Sequence, residues 1–458
     1  MLVFQSQLIV LASGLIKALV VPVVLGVSDY GYWQIYVFYA VYVGVFTLGY
    51  NDGIYLKYGG YRFEDLPFPT LRGSNMAHLV LLVLGATVIA VFAANASNLE
   101  RELVFYALAA NILILGITYN ISLSLQAANR IKGFAFLNAA DKIFFIVVLI
   151  ALLDPQFRTF LFLIAIDLIG KTAVLITILL RYRQFYIGPS AGIVSACAEF
   201  WENLRSGIQL MVANLTGMLV LGIGRIIIEY FGSLDSYSYY AFATSLASVV
   251  LVSVTAMSVV LYPSLKRQNQ ASYIRHFKVT NEGYSVFALL MLSSYFAALA
   301  FISLIAADYR PVIEFLNVIF VITVLQGKMQ LVNNTFYKAL RLEGAMLKAN
   351  LVGLAIATVL SALGYALTHS LLTVAYATLF TMLFRVYASE VFLRRHMAGR
   401  QTFVPHIEAA VLLGFLGITT FLPPFPAFLL WSMLVVLILA YNREQLTSLI
   451  TKIWSEIR

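Results

Sequence analysis

Apolar runs of about twenty residues, each closed by a charge, a glycine or a proline, follow one another along nearly the whole chain. As helices rising about 1.5 Å per residue, such runs each span a hydrocarbon core of roughly 30 Å. The pattern predicts an all-α polytopic membrane protein with fourteen spans. They lie near 3–26, 32–51, 74–97, 103–128, 134–153, 159–180, 207–228, 236–261, 279–305, 312–334, 345–367, 371–393, 407–422 and 426–441. The connections between them are short, and none is large enough to fold as a separate soluble domain.

Composition agrees with the pattern. The chain is 61% hydrophobic and 11% charged, whereas soluble domains carry roughly 45–50% apolar and about 25% charged residues. The single cysteine, Cys197, excludes an intrachain disulfide and any multi-cysteine metal site, and the five histidines are scattered. No metal and no cofactor is therefore expected. The opening "MLVFQSQ" lacks the basic region and cleavage site of a secretory signal, so the first helix is expected to be retained.

Basic residues partition unevenly between alternate loops, and short loops rich in Lys and Arg stay on the cytoplasmic side. With the N-terminus inside, 21 basic residues fall in inner loops and the tail. Only Arg101, Arg158 and Arg310 fall outside. Fourteen spans with both termini cytoplasmic, in a bacterial or archaeal inner membrane, satisfy that rule. The net charge of +9 is then mostly topology and requires no nucleic-acid partner.

Two sequence matches point to an internal repeat. "LGVSDYGYWQIY" and "FGSLDSYSYYAF" share Gly-x-x-Asp followed by aromatics, with Gly26/Gly232 and Asp29/Asp235 both offset by 206; "RIKG" at Arg130 and "RLEG" at Arg341 are offset by 211. Nearly equal offsets on equivalent loops predict two six-helix lobes in tandem, 1–200 and 201–400, with two accessory helices and a cytoplasmic tail in 401–458. Six is even, so the lobes point the same way across the membrane.

Six basic residues fall inside predicted spans: Lys17, Lys142, Lys171, Arg225, Lys328 and Arg385. Each costs about 2.5–3.5 kcal/mol at a helix centre, so such groups face a bundle interior or a wet cavity. Asp167 and Lys171 stand four apart on one helix face, and Asp141 and Lys142 lie at comparable depth. These four form either a structural ion cluster or a coupling site for a proton or sodium. Lys17 and Arg225 are read as unpaired cations at similar depth in the first helix of each lobe, suited to a phosphate. Lys328 and Arg385 lie nearer the inner side. Asn111, Asn120, Asn138, Asn214, Asn333 and Asn334 either line a cavity or bond between helices.

The stretch "LGYNDGIYLKYGG" completes a resemblance. Leu25, Gly26, Tyr30 and Gly31, then Leu48, Gly49, Gly53, Ile54 and Gly59, are similar to two conserved-form segments of the polysaccharide and O-antigen flippases of the multidrug/oligosaccharidyl-lipid/polysaccharide exporter superfamily. "GIGRIIIEYFGSLDSYSYYAFA" and "NNTFYKALRLEGAMLKAN" resemble later hairpins of that family, and the resemblance covers about residues 1–397. Some members carry Asp before the Arg of the seventh span, where this chain has Gly224 before Arg225. An acid-dependent step at that position is not carried over.

The resemblance implies a flippase rather than an enzyme. It would move an undecaprenyl- or other polyprenyl-pyrophosphate-linked oligosaccharide from the inner to the outer leaflet by alternating access, for cell-surface polysaccharide synthesis, with the lipid tail among membrane lipids. Lys17, Arg225, Lys57, Lys328 and Arg385 are the expected substrate-binding residues. Gly49, Gly53, Gly59 and Gly60 are expected to form tight turns beside Lys57, and Asp52 to cap a helix or pair with Lys57. A drug or cation antiporter of the same superfamily is expected to have an acidic interior instead. A lipid-linked sugar polymerase or glycosyltransferase is expected to have a large catalytic outer loop.

Overall fold

The computed structural model describes residues 2–96, 98–149, 151, 154–266, 272–398 and 406–441. The predicted tail with Arg443, Lys452 and Arg458, the loop residues Arg267 and Arg400, and the side chain of Asn138 lie outside the described residues. All regular structure among the described residues is helical.

The chain forms two compact units, Met1–Leu215 and Thr216–Arg458. The first holds α1 (Leu2–Leu19), α2 (Val21–Val24), α3 (Val27–Tyr42), α4 (Tyr50–Lys57), α5 (Phe68–Ala93), α6 (Leu99–Ala127), α7 (Ile131–Val148) and α8 (Phe160–Arg181). The boundary falls within α9 (Ile193–Phe231). The second holds α10 (Leu234–Ser248), α11 (Leu251–Lys266), α12 (Tyr273–Leu304), α13 (Ile313–Lys328), α14 (Asn334–Ala339), α15 (Glu343–Thr368), α16 (Leu371–Ala398), α17 (His406–Phe421) and α18 (Pro424–Tyr441).

Among the described residues, eight segments are long and apolar enough to cross a membrane: α5, α6, α8, α9, α12, Ala307–Ala339, α15 and α16. Three shorter apolar helices, Ile9–Val24, Glu408–Phe421 and Pro424–Ala440, accompany them. Inside a bilayer the backbone must satisfy its own hydrogen bonds, and helices do so within one segment. The chain is an all-α, multi-pass membrane protein. Its outer helices turn apolar side chains outward, as on α5, where Val80, Val83, Leu84, Val88 and Val91 are exposed. Only 22% of the α5 and α15 windows is buried, against 83% for Ala307–Ala339. α13 is thus the core helix of the second unit, packed on α10, α12, α16 and α17, while α6 plays that part in the first, against α3, α4, α5, α7 and α8.

Four predicted spans are broken, the first of them 3–26, which divides at Val20 into α1 and α2. The 32–51 span becomes α3, a short 3-10 turn over Val43–Thr47, and α4, because Leu48 and Gly49 take left-handed backbone at φ 47° and 84°. The 236–261 span divides into α10 and α11, and the 312–334 span passes through a π turn, Met329–Asn333. The 207–228 span is part of the longer α9.

The glycines around the break in the 32–51 span do different work from that expected. Gly49 and Gly60 do turn the chain, with φ 84° and 96°. Gly53, however, sits inside α4, where a Cβ would overlap the Asn203 carbonyl of α9, and a Cβ on Gly207 would overlap Gly49. The absent side chains let two helix backbones touch, the usual use of spaced small residues between membrane helices.

The repeated sequence marks coincide with repeated local structure. Asp29 and Asp235 each fall in the first turn of a helix, α3 and α10. The turns after α6 and α14 each carry one left-handed residue, Asn129 and Arg341, both at φ 55°. In each, the next amide reaches back five residues, Arg130 N to Leu125 O and Leu342 N to Tyr337 O, both at 2.8 Å. This is the Schellman closure of a helix end.

Candidate functional site

Five helices of the first unit bring a charged cluster together: α1 supplies Lys17, α3 Trp33 and Tyr36, α6 Asn111, α7 Asp141, Lys142 and Phe145, and α8 Asp167 and Lys171. Asp167 is its centre. Its Oδ2 lies 2.5 Å from Lys171 Nζ and accepts a 2.7 Å bond from the Tyr36 hydroxyl, while its Oδ1 accepts one from Lys17 Nζ at 3.4 Å. Asn111 fixes the rest, donating to Tyr36 Oη at 2.6 Å and accepting from Lys171 at 3.4 Å. Lys17 is therefore not the unpaired cation expected from its sequence neighbours, because its carboxylate comes from a helix 150 residues away.

Two ammoniums share this one carboxylate, which leaves a net positive charge. The neighbouring Asp141 and Lys142 cancel each other at 2.9 Å. Lys17 also lies 3.9 Å from the centre of the Phe145 ring and 5.7 Å from that of Trp33, so its charge rests against aromatic faces. Accessibility grades outward through the cluster, from 8% for Asp167 to 15% for Lys171 and 28% for Lys17. The exposed end is the cationic end.

Lys57, also in the first unit, is held by acids that the sequence reading did not pair with it. Its Nζ lies 2.8 Å from both Glu199 Oε2 and Glu202 Oε2. Glu199 Oε1 accepts from the Tyr58 hydroxyl at 2.7 Å and from Asn203 at 2.8 Å. Burial acts to lower the ammonium's pKa, but the two carboxylates outweigh it and hold Lys57 above its ordinary value. Burial and Glu199 push the Tyr58 phenol well up. Asp52 is not the partner of Lys57 and does not cap α4, whose N-cap is Gly49. Burial raises its carboxyl from 3.8 to about 6.

In the second unit, Arg225 donates to Thr244 Oγ1 through Nε at 3.0 Å and to the Ala241 carbonyl through Nη2 at 3.3 Å. Buried Glu229 lies four residues along the same helix, a neighbour that the reading of Arg225 as unpaired overlooked. A Cβ on Gly224 would come within 3.0 Å of Val374 Cγ1 and 3.2 Å of the Tyr240 hydroxyl, so a side chain there would crowd both.

Arg385, 2% exposed, gives Nε and Nη2 to one neutral acceptor, Asn350 Oδ1, at 3.1 and 2.7 Å, and Nη1 only to the Met382 sulfur at 3.9 Å. Gly217 and Gly353 leave it room: a Cβ on either would come within 3.5 Å of its side chain. Lys328 is fully buried between Glu390, at 2.9 Å, and Glu408. Neither Lys328 nor Arg385 is open to a ligand in this structure.

This fold recurs in a known lipid transporter. The solved structure of the lipid II flippase MurJ in an inward closed conformation matches with a TM-score of 0.67 at 14% identity, covering 97% of this chain and 100% of that one. This chain shares the MurJ fold. Looser matches, at TM-scores of 0.42 and 0.46 and 12% identity each, are a MATE protein bound to Br-NRF and a MOP superfamily transporter from Pyrococcus furiosus with a binding pocket of reversed polarity. They cover 87% and 86% of this chain and 93% and 96% of their own. No protein-family model and no curated protein sequence matches the chain.

The sequence reading missed Tyr36, Glu199, Glu202, Asn350 and Glu408 as partners of the named cations. Tyr36 gave no signal among so many aromatic residues. Glu199 and Glu202 are spaced three apart, which places both on one helix face, the one signal in the sequence that a cation could sit between them.

Proposed function

We propose that this protein is a flippase for an anionic lipid-linked oligosaccharide, carried from the cytoplasmic to the outer leaflet of a prokaryotic inner membrane. The observation that carries this reading is the unequal cluster around Asp167, two ammoniums on one carboxylate with the cationic end accessible. Such a site attracts a phosphate without stripping its own carboxylate of partners. Lys17 and Lys171 would bind the pyrophosphate, with the buried Trp33 and Phe145 rings backing the Lys17 ammonium. In the second unit, Arg225, partly accessible and held by hydroxyl and carbonyl groups, would offer a phosphate contact of its own. Lys57 acts as the holder of a carboxylate pair more than as a collector of substrate. Support comes also from a fold shared over full length with a flippase of lipid II. A cationic cargo fits poorly, since the accessible charge is positive.

The test is headgroup crossing of a fluorescent polyprenyl-pyrophosphate oligosaccharide in proteoliposomes. Lys17→Ala and Arg225→Ala should each slow crossing at least about tenfold, a loss of about 1.4 kcal/mol of interaction. Crossing that is unchanged in both, at equal protein incorporation, overturns the reading.

A further inference from the structure

Four helices of the second unit converge on a second charged cluster for which the flippase reading has no use. Lys328 ends α13 where that helix loosens into its π turn, a distortion common at functional positions. Its ammonium faces Glu390 of α16 and Glu408 of α17. The two carboxylates are unequally supported. Glu390 Oε1 accepts from Arg394 Nη2 at 2.6 Å, from Arg394 Nε at 3.0 Å and from Asn281 Nδ2 at 3.2 Å. Glu408 has Lys328 alone among the described residues.

Several acceptors in the cluster are left over. Glu408 Oε1 and Asn281 Oδ1 are buried without a hydrogen-bond partner, and so is the hydroxyl of Tyr387, while Glu390 Oε2 faces Lys328 Nζ at 2.9 Å. The Tyr387 ring centre lies 5.4 Å from Lys328 Nζ. The Tyr284 hydroxyl of α12 is already given to the Val324 carbonyl. Lys328, Glu390, Arg394, Glu408, Tyr387 and Tyr284 are thus the titratable groups facing one another from α12, α13, α16 and α17. Buried acceptors without donors call for an added donor, and a proton on one of the carboxylates is the smallest that would serve.

We propose that Glu408 and Glu390, set against the single ammonium of Lys328, form a proton-binding site with Glu408 as the group that loads and unloads. Carboxylates that share a partner titrate as a pair, and the proton goes to the member with fewer donors. Glu408 stands in the first turn of α17, at a helix end. Loading is a plain proton transfer: hydronium gives its proton to Glu408 Oε1 and leaves as water. The carboxyl becomes neutral, and its O–H supplies the donor that the leftover acceptors lack. Lys328 then belongs to Glu390 alone, which releases the charged tie between α17 and α13. In the transport cycle this site would couple proton entry to the docking of α17, a step that rests on the flippase reading; the proton site itself does not.

The experiment is pH-difference infrared spectroscopy of the full-length protein in detergent. A carboxylic-acid C=O band should appear on acidification, vanish in Glu408→Gln and remain in Glu199→Gln. Potentiometric titration should show about one proton fewer taken up by Glu408→Gln. If Glu408→Gln does not fold, Glu408→Asp keeps the acid in an altered setting and should shift the band. A band unchanged in the Glu408 variants, or no such band in the parent protein, overturns the proposal. Neither measurement uses a transported lipid, so their failure removes the proton site and leaves the flippase reading standing. Failed headgroup crossing does the reverse.

Discussion

Lys17 Nζ and Asp167 Oδ1 lie 3.4 Å apart although 150 residues separate them in the chain. That contact turns an isolated cation into one side of a three-charge cluster and makes the two partners unequal. Asp167 serves Lys17, Lys171 and Tyr36 at once, whereas Lys17 is partly accessible and rests on aromatic rings. Asp167→Asn leaves two ammoniums facing each other and should destabilise the protein by about 3–5 kcal/mol, the usual cost of breaking a buried pair from one side. Lys17→Ala should cost about 1 kcal/mol or less of stability while slowing lipid crossing. Thermal unfolding in detergent, read beside proteoliposome transport, separates the two.

Gly53 should tolerate no side chain. Its Cβ position is filled by the Asn203 backbone, which cannot swing aside as a flexible side chain would. Gly53→Val should destabilise by about 2–3 kcal/mol or prevent folding, as overpacking does in well-filled cores. Gly44→Ala, with nothing within 4 Å of its Cβ, should be close to neutral. Folded yield on fluorescence-detected size exclusion is the measure.

Arg385 depends on a single amide. Asn350→Leu should cost about 3 kcal/mol, because the buried guanidinium then keeps, among the described residues, a thioether. Adding Arg385→Met should recover most of that loss by removing the charge itself, so the double variant should melt closer to the parent than Asn350→Leu does. Strict additivity of the two losses would contradict this account.

Asp52 makes stability depend on pH in a defined direction. Its folded carboxyl is raised by burial to about 6 from 3.8, so the folded state binds the proton more tightly than the unfolded chain. The contribution is complete below 3.8 and is lost as pH rises through about 6. Asp52→Asn should therefore gain about 1–2 kcal/mol over the parent at neutral pH, allowing for partial solvent screening, and little at pH below its unfolded value. Melting temperatures of both proteins across that window give the difference directly.

Much of the architecture was written in local pattern. Runs of about twenty apolar residues must become helices in lipid whatever their neighbours do, because the backbone there has no other donor or acceptor. The Asp167–Lys171 pair was legible for the same reason: four residues along a helix place two side chains on one face. "RIKG" follows a left-handed helix stop at Asn129, and "RLEG" opens on one at Arg341.

What the one-dimensional pattern could not supply was which distant groups meet. The carboxylates that neutralise Lys17, Lys57 and Lys328 come from other helices, and hydropathy carries no information on helix rotation or neighbour choice. Gly53 looked like a turn residue and is a contact point, because only the approach of α9 gives its missing side chain a purpose. The breaks in the predicted spans follow the same logic, since a long apolar run is equally compatible with one straight helix or two bent ones. Sequence alone determined that this chain lives in a membrane as helices with charges inside. Tertiary structure decided which charges cancel and which remain, because electrostatic energy depends on separations of a few ångströms that side-chain order along a chain does not encode.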